Sequence, residues 1–314
     1  MLKILFSLLF LSACGTDKID CIFKGEKCHT KKPSPTSSVT EEQKEALREM
    51  RASVRTWALK CEGGIACGET DERVPDAGDS MLWGGLLCAS GEQDQCEAVK
   101  ASQNSDGQIF RNPGLSRGKN DSSRDMLLGY LHYLSATKDT DGAKALLNYI
   151  VKNDYKLCTN ATDNRCSVNK VINAAIWGSM RRVWQHIGLT PTSDMEDSKL
   201  TDESIVAFQS KFSAEGYELH LVAVELLLRQ VTRSYSNTLA NAAQRLAERQ
   251  PNNPYFEFVA NGQTEKAARL TLEKCPSTLD HIRKQWSWQR EEDEKAWLVS
   301  KGWECIYIAN LLLK

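Results

Sequence analysis

The chain has 314 residues, 41% of them hydrophobic and 26% charged, which excludes a disordered chain, a collagen-like chain and a multi-span membrane protein. Forty Lys and Arg stand against 41 Asp and Glu, a net charge of −1. No basic field exists to draw in nucleic acid, and no nucleic-acid partner is expected.

Residues 1–14 read MLKILFSLLFLSAC, with Lys3 as a short positive region and Ile4 to Leu11 as an apolar run. A spanning helix needs about 20 apolar residues, whereas a run this short suits the core of a signal peptide. The tetrapeptide Leu11-Ser12-Ala13-Cys14 resembles the bacterial lipoprotein lipobox. That resemblance implies removal of residues 1–13, acylation of Cys14, and attachment to the membrane through lipid alone. With Gly15 rather than Asp behind the cysteine, it implies the outer membrane, on its periplasmic or its surface face. Residues 14–40 include KKPSPTSSVT and are nearly devoid of apolar residues, so a tether is expected before a single domain over 41–314.

Eleven cysteines less Cys14 leave ten, an even number that fits an oxidising compartment. Their order favours pairing between neighbours: Cys21–Cys28, Cys61–Cys67, Cys88–Cys96, Cys158–Cys166 and Cys275–Cys305. No C-x-x-C spacing occurs, and the five histidines form no H-E-x-x-H cluster, so neither a metal nor another cofactor is expected.

From residue 41 onward the apolar positions follow a helical period, and no stretch alternates as a strand. Helices with a charged face are expected over 41–60, 92–103, 139–152, 200–212, 235–249 and 264–274. Between them fall helices that are apolar nearly all round: 79–90, 122–135, 169–187, 216–232, 254–261 and 296–313. A helix apolar on every side must be surrounded by protein, while an amphipathic one can face water. Six inner helices thus alternate with six outer ones at a loose spacing of about 43 residues. Such an all-α pattern has two readings, a closed (α/α)6 toroid or an open α-solenoid. The contrast between inner and outer helices favours the toroid.

Long connections (61–78, 104–121, 153–168 and 275–295) lead from outer to inner helices and would gather over the inner N-termini. Helix dipoles there favour anions and polar ligands. Asp79 opens the first inner helix, placed either to cap it or to act on a ligand. The second is entered through Asp106, Arg111 and the pair Arg124-Asp125, which reads either as a first-turn ion pair or as part of a site. The fourth is entered through Glu215-Gly216-Tyr217, with His220 one turn on. A carboxylate beside a Tyr and a His suits general acid/base work, and it also suits a capping box beside a core histidine. Trp286, Trp288 and Arg290 fall in the last long loop, where indoles either stack sugars or seal the core. No G-x-S-x-G elbow, phosphate-binding loop or dinucleotide fingerprint occurs.

An inner and outer helical alternation whose mouth is rich in carboxylates and Trp resembles the six-hairpin glycosidase superfamily, in pattern only, over residues 41–314. The Ser213-Ala214-Glu215-Gly216-Tyr217 segment is similar to the Ser-Glu-Gly stretch that carries the proton donor in one family of these enzymes, with Ala214 interposed. The resemblance implies a cell-envelope glycan hydrolase. Glu215 would protonate the glycosidic oxygen, and Asp125 or Asp79 would activate water. Arg111, Arg124, Arg290, Asp106, His220, Tyr217, Trp286 and Trp288 would hold the substrate. A lyase using Tyr217 and His220 is a variant, and a non-catalytic scaffold binding a glycan or a protein is the alternative.

Overall fold

The computed structural model describes residues 37–58, 60–66, 79–113, 122–158, 166–168, 174–196, 202–275 and 302–314. The lipobox, the Cys21–Cys28 pair, Cys67 and residues 276–301 lie outside them. No strand forms among the described residues, whose only extended pairings are isolated bridges. Among them, no helix is long and apolar enough to cross a membrane.

The first helix, α1 (Glu41–Arg55), starts at a capping box: Thr40 Oγ1 accepts from Gln43 N, and the Gln43 side chain accepts from Thr40 N. It buries Leu47, Met50 and Val54 along one face. A 3₁₀ turn (Glu62–Gly64) precedes α2 (Ser80–Ser90), which is buried on every side except at Ala89. Gly91, at φ 117°, ends α2 in the left-handed region that a side chain resists. Outer α3 (Gln93–Ala101) leads by a loop to α4 (Arg124–Thr137), buried from Asp125 to Ser135. Outer α5 (Thr140–Lys152) is capped by Asp139 and leads towards α6 (Ala174–His186) and the short α7 (Ser193–Glu196).

Outer α8 (Asp202–Phe212) turns through Gly216 into α9 (Tyr217–Val231), buried from Leu219 to Arg229 apart from Leu221. The remaining helices are α10 (Asn237–Arg249), α11 (Pro254–Asn261), α12 (Glu265–Lys274) and α13 (Trp303–Leu312). Helix α10 buries only Leu239, Ala242, Ala243 and Leu246, whereas every residue of α13 is buried. The alternation expected from the sequence is therefore present in these elements.

Contacts run from α2 to α4, α4 to α6, α6 to α9 and α9 to α11, while α13 packs on both α2 and α1. The segment just before α1 is stitched to α12, where Glu265 N donates to Ser37 O at 2.8 Å. Helices α2 and α4 meet backbone to backbone at Gly85 and Gly129; a Cβ on Gly85 would lie 1.8 Å from Gly129 O. Each glycine sits five residues into its helix, and both helix starts meet Arg111, so the two run the same way. Disulfides join Cys88 to Cys96, Cys158 to Cys166 and Cys275 to Cys305, and Cys61 is also disulfide-bonded.

Candidate functional site

Three helix starts come together through one arginine. Arg111, on the loop before α4, places Nη1 3.7 Å from Asp79 Oδ1 and donates through Nη2 to Ser123 Oγ at 3.2 Å. Ser123 Oγ in turn donates to Asp125 Oδ1, and the Tyr217 hydroxyl hydrogen-bonds the same carboxylate. Neither Asp79 nor Ser123 caps its helix with its side chain. The two acids are 8% exposed, and the positive ends of α2 and α4 favour their charge there.

Tyr217 is 37% exposed as a residue, but the enclosure of its hydroxyl first, then the charges of Asp125 and Asp79, push the phenol well above its ordinary pKa, so it remains a proton donor. His220 packs edge-on against Tyr217 at 5.1 Å. Burial lowers its pKa to about 3, against the opposing pull of Asp125 and of a hydrogen bond with the Tyr217 backbone. Its imidazole is neutral near pH 7.

Beside this chain lies a cavity of about 450 Å³. Arg124, Asp125 and Leu128 of α4 line it, as do Ala175 and Ile176 of α6. Helix α8 contributes Ile205 and Gln209, with Ser213 just beyond; α9 contributes Tyr217, Glu218, Leu221, Val222 and Glu225. The helix directions explain this gathering. Asp125 meets Tyr217 at the starts of α4 and α9, and His132 Nε2 donates to Val224 O at 3.1 Å midway along both, so they run in parallel. Helix α8 runs the other way, beginning at the buried Asp202 and ending at the cavity.

Of the residues expected from the sequence, Asp79, Asp125, Arg111 and Tyr217 are brought together; Arg124, Asp125 and Tyr217 line the cavity, whereas His220, packed on Tyr217, is buried and does not. Glu215, on the turn before α9, and Glu218, three residues on, are both exposed, but only Glu218 lines the cavity. Glu218 Oε2 also accepts from Ala214 N at 3.3 Å. Asp106 is exposed in the turn before Gly107, away from this lining. Trp286, Trp288 and Arg290 lie outside the described residues. No cluster of three or more His, Cys, Asp or Glu positioned for a metal ion occurs among the described residues.

Sequence reasoning missed the ion network at the cavity's deep side. Arg229 is fully buried and donates to Glu225 Oε1 at 2.6 Å and Asp202 Oδ2 at 3.1 Å. Arg182 reaches Asp202 and, at 3.0 Å, Glu203. Ser179 Oγ donates to Glu225 Oε1 at 2.8 Å, fixing the carboxylate that faces the cavity. A Cβ on Gly178 would lie 2.1 Å from Asp202 Oδ2, so the close approach of that acid needs glycine. The available signal was a set of charges, Arg181, Arg182, Glu225 and Arg229, inside helices otherwise too apolar to face water.

No known protein-family model matches the chain, and no characterised protein matches it in sequence.

Proposed function

We propose that this is a lipid-anchored cell-envelope protein whose helices close into an (α/α)6 ring, with a glycan bound at one end and its glycosidic bond hydrolysed there. The lipobox Cys14 supplies the anchor in this reading. Ring closure is supported by the packing of α13 on α2 and α1, and by the parallel course of the inner helices α2, α4 and α9.

One observation carries the functional reading. Asp79, Arg111, Ser123, Asp125 and Tyr217 converge from separate segments onto one polar chain beside a cavity that can hold a small polar ligand. Asp125 is the base that activates water, oriented by Ser123 and by the protonated Tyr217 phenol. Glu218, on α9, is the acid of this corner rather than Glu215, which does not line the cavity. Arg124 and Gln209 hold substrate hydroxyls.

The test is release of reducing ends from envelope and plant polysaccharides by the purified protein. Asp125→Asn and Glu218→Gln should each lower release by ~10²–10⁴, the range for a lost general acid or base, with the fold intact. Glu215→Gln should leave it unchanged. Absence of any released end would refute hydrolysis. A binding scaffold is the second reading, favoured by the donors already engaged on both Asp79 and Asp125; it predicts glycan binding without release.

A further inference from the structure

The outer end of α8 carries an apolar feature that the hydrolytic reading does not use. Phe208 and Phe212 are 62% and 59% exposed, and their rings lie 4.6 Å apart. Lys211 Nζ sits 5.0 Å from the centre of the Phe212 ring. Two exposed, adjoining rings are costly to leave in water.

Their place on the helix explains what they are for. Phe212 follows Ile205 by two helical turns and so points almost the same way; Phe208 is one turn behind it on the flank. Ile205 and Gln209 line the cavity. Neither ring lines the cavity itself; by helical position they extend, beyond it, the face of α8 that carries Ile205 and Gln209. Inside, Leu128, Ile176, Leu221 and Val222 make an aliphatic wall, and Asp125, Glu218 and the ion-paired Glu225 are its acidic groups.

Such a surface fits a ligand with an apolar ring face, polar edges and a small apolar substituent. A plain hexose supplies the first two, since its C–H face stacks on aromatic rings. An acetamido group supplies the third, placing a methyl against the aliphatic wall and an amide near the acids. Resting on the glycan reading above, we propose that the site takes an oligomer of N-acetylated amino sugar, one ring of which stacks on Phe208 and Phe212.

The experiment is calorimetric titration of the full protein with two tetramers of equal length and linkage, β-1,4-linked N-acetylglucosamine and β-1,4-linked glucose. The acetylated tetramer should bind at least about fourfold tighter, the ratio for burying one methyl-sized group. The Phe208→Ala/Phe212→Ala variant should lose roughly tenfold in affinity for it, with an unchanged thermal midpoint because both rings are exposed. Equal affinity for the two tetramers, undiminished binding by the variant, or no binding of the acetylated tetramer would each overturn the inference. If the wild type fails to bind it yet releases ends from an unacetylated polysaccharide, this inference fails alone. If it neither binds nor cleaves any glycan, the glycan reading fails with it.

Discussion

Two adjacent glycines in the middle of α2 should respond very differently to the same methyl group. At Gly85 an added Cβ would sit 1.8 Å from the Gly129 carbonyl oxygen of α4. An ordinary carbon–oxygen contact needs about 3.3 Å, so the helices would have to separate by roughly 1.5 Å. Both are buried inner helices, and separation opens gaps around Met81, Leu82 and Leu86 that nothing refills. Overpacking of this kind costs ~3 kcal/mol or more, beyond the ~1 kcal/mol that alanine returns through helix propensity. At Gly84 the nearest atoms are side-chain carbons of the buried Ile65 and Val99, 2.9 Å away, which must yield by a few tenths of an ångström while the backbone stays in place. Gly84→Ala should therefore change stability by no more than about 1 kcal/mol. In thermal unfolding, Gly85→Ala, with a net loss of ~2 kcal/mol or more, should lower Tm by roughly 4 °C or more and Gly84→Ala by about 2 °C at most. Equal midpoints for the two variants would refute the backbone crossing of α2 and α4.

Acid should destabilise the fold through its buried imidazoles. Burial lowers His132 to about 4, despite its hydrogen bond to Val224 O, and His220 to about 3, both from 6.5. The unfolded chain then binds more protons than the folded one below pH 6.5, so stability is full above that pH and is lost as pH falls towards 3–4. For His132 the loss is on the order of 3 kcal/mol; His132→Gln, whose amide can still donate to Val224 O, should flatten the dependence of the urea midpoint on pH. Arg229→Met should cost ~3–5 kcal/mol in urea unfolding, because it strips a buried partner from Glu225 and Asp202, and adding Glu225→Leu should restore part of that. A single variant no less stable than wild type would show the network to be idle. Cys14→Ser should abolish metabolic lipid labelling and leave the precursor uncleaved; normal labelling would remove the anchor.

Helix position and type were legible because burial writes itself into composition. The run 79–90 has no polar face to show to water, and Ser80–Ser90 is enclosed by α3, α4 and α13. Pairing of neighbouring cysteines was legible for a related reason: eight residues of chain keep Cys88 within reach of Cys96. Local signals gave out where an outcome depends on which helices touch. Asp79 has the chemistry of a cap, yet its carboxylate faces Arg111, thirty-two residues away in sequence. Glu215 and Glu218 are interchangeable by composition, and only the pitch of α9 brings the second to the cavity. The glycines of α2 and α4 carried no pattern until Gly85 was seen to face Gly129.

The two ends of the inner helices are built for different tasks. At the carboxyl ends of α2 and α13, Asn310 donates to Ser90 Oγ at 3.1 Å and to Glu92 Oε1 at 2.7 Å, and accepts from Arg51 at 2.7 Å. Lys314 Nζ caps the Ala89 carbonyl at 2.8 Å. Cations answer the helix-end carbonyls there, and α1 is tied to α13 through Arg51 and Asn310. At the amino ends the polar groups are acids instead, held by helix dipoles and by Arg111, with a cavity beside them. Were the same acids placed at the carboxyl ends, they would face carbonyl oxygens and repel them. Helix direction thus decides how a buried carboxylate is held: by helix dipoles and Arg111 around Asp79 and Asp125 at the amino ends, and by Arg182 and Arg229 around Asp202 away from them.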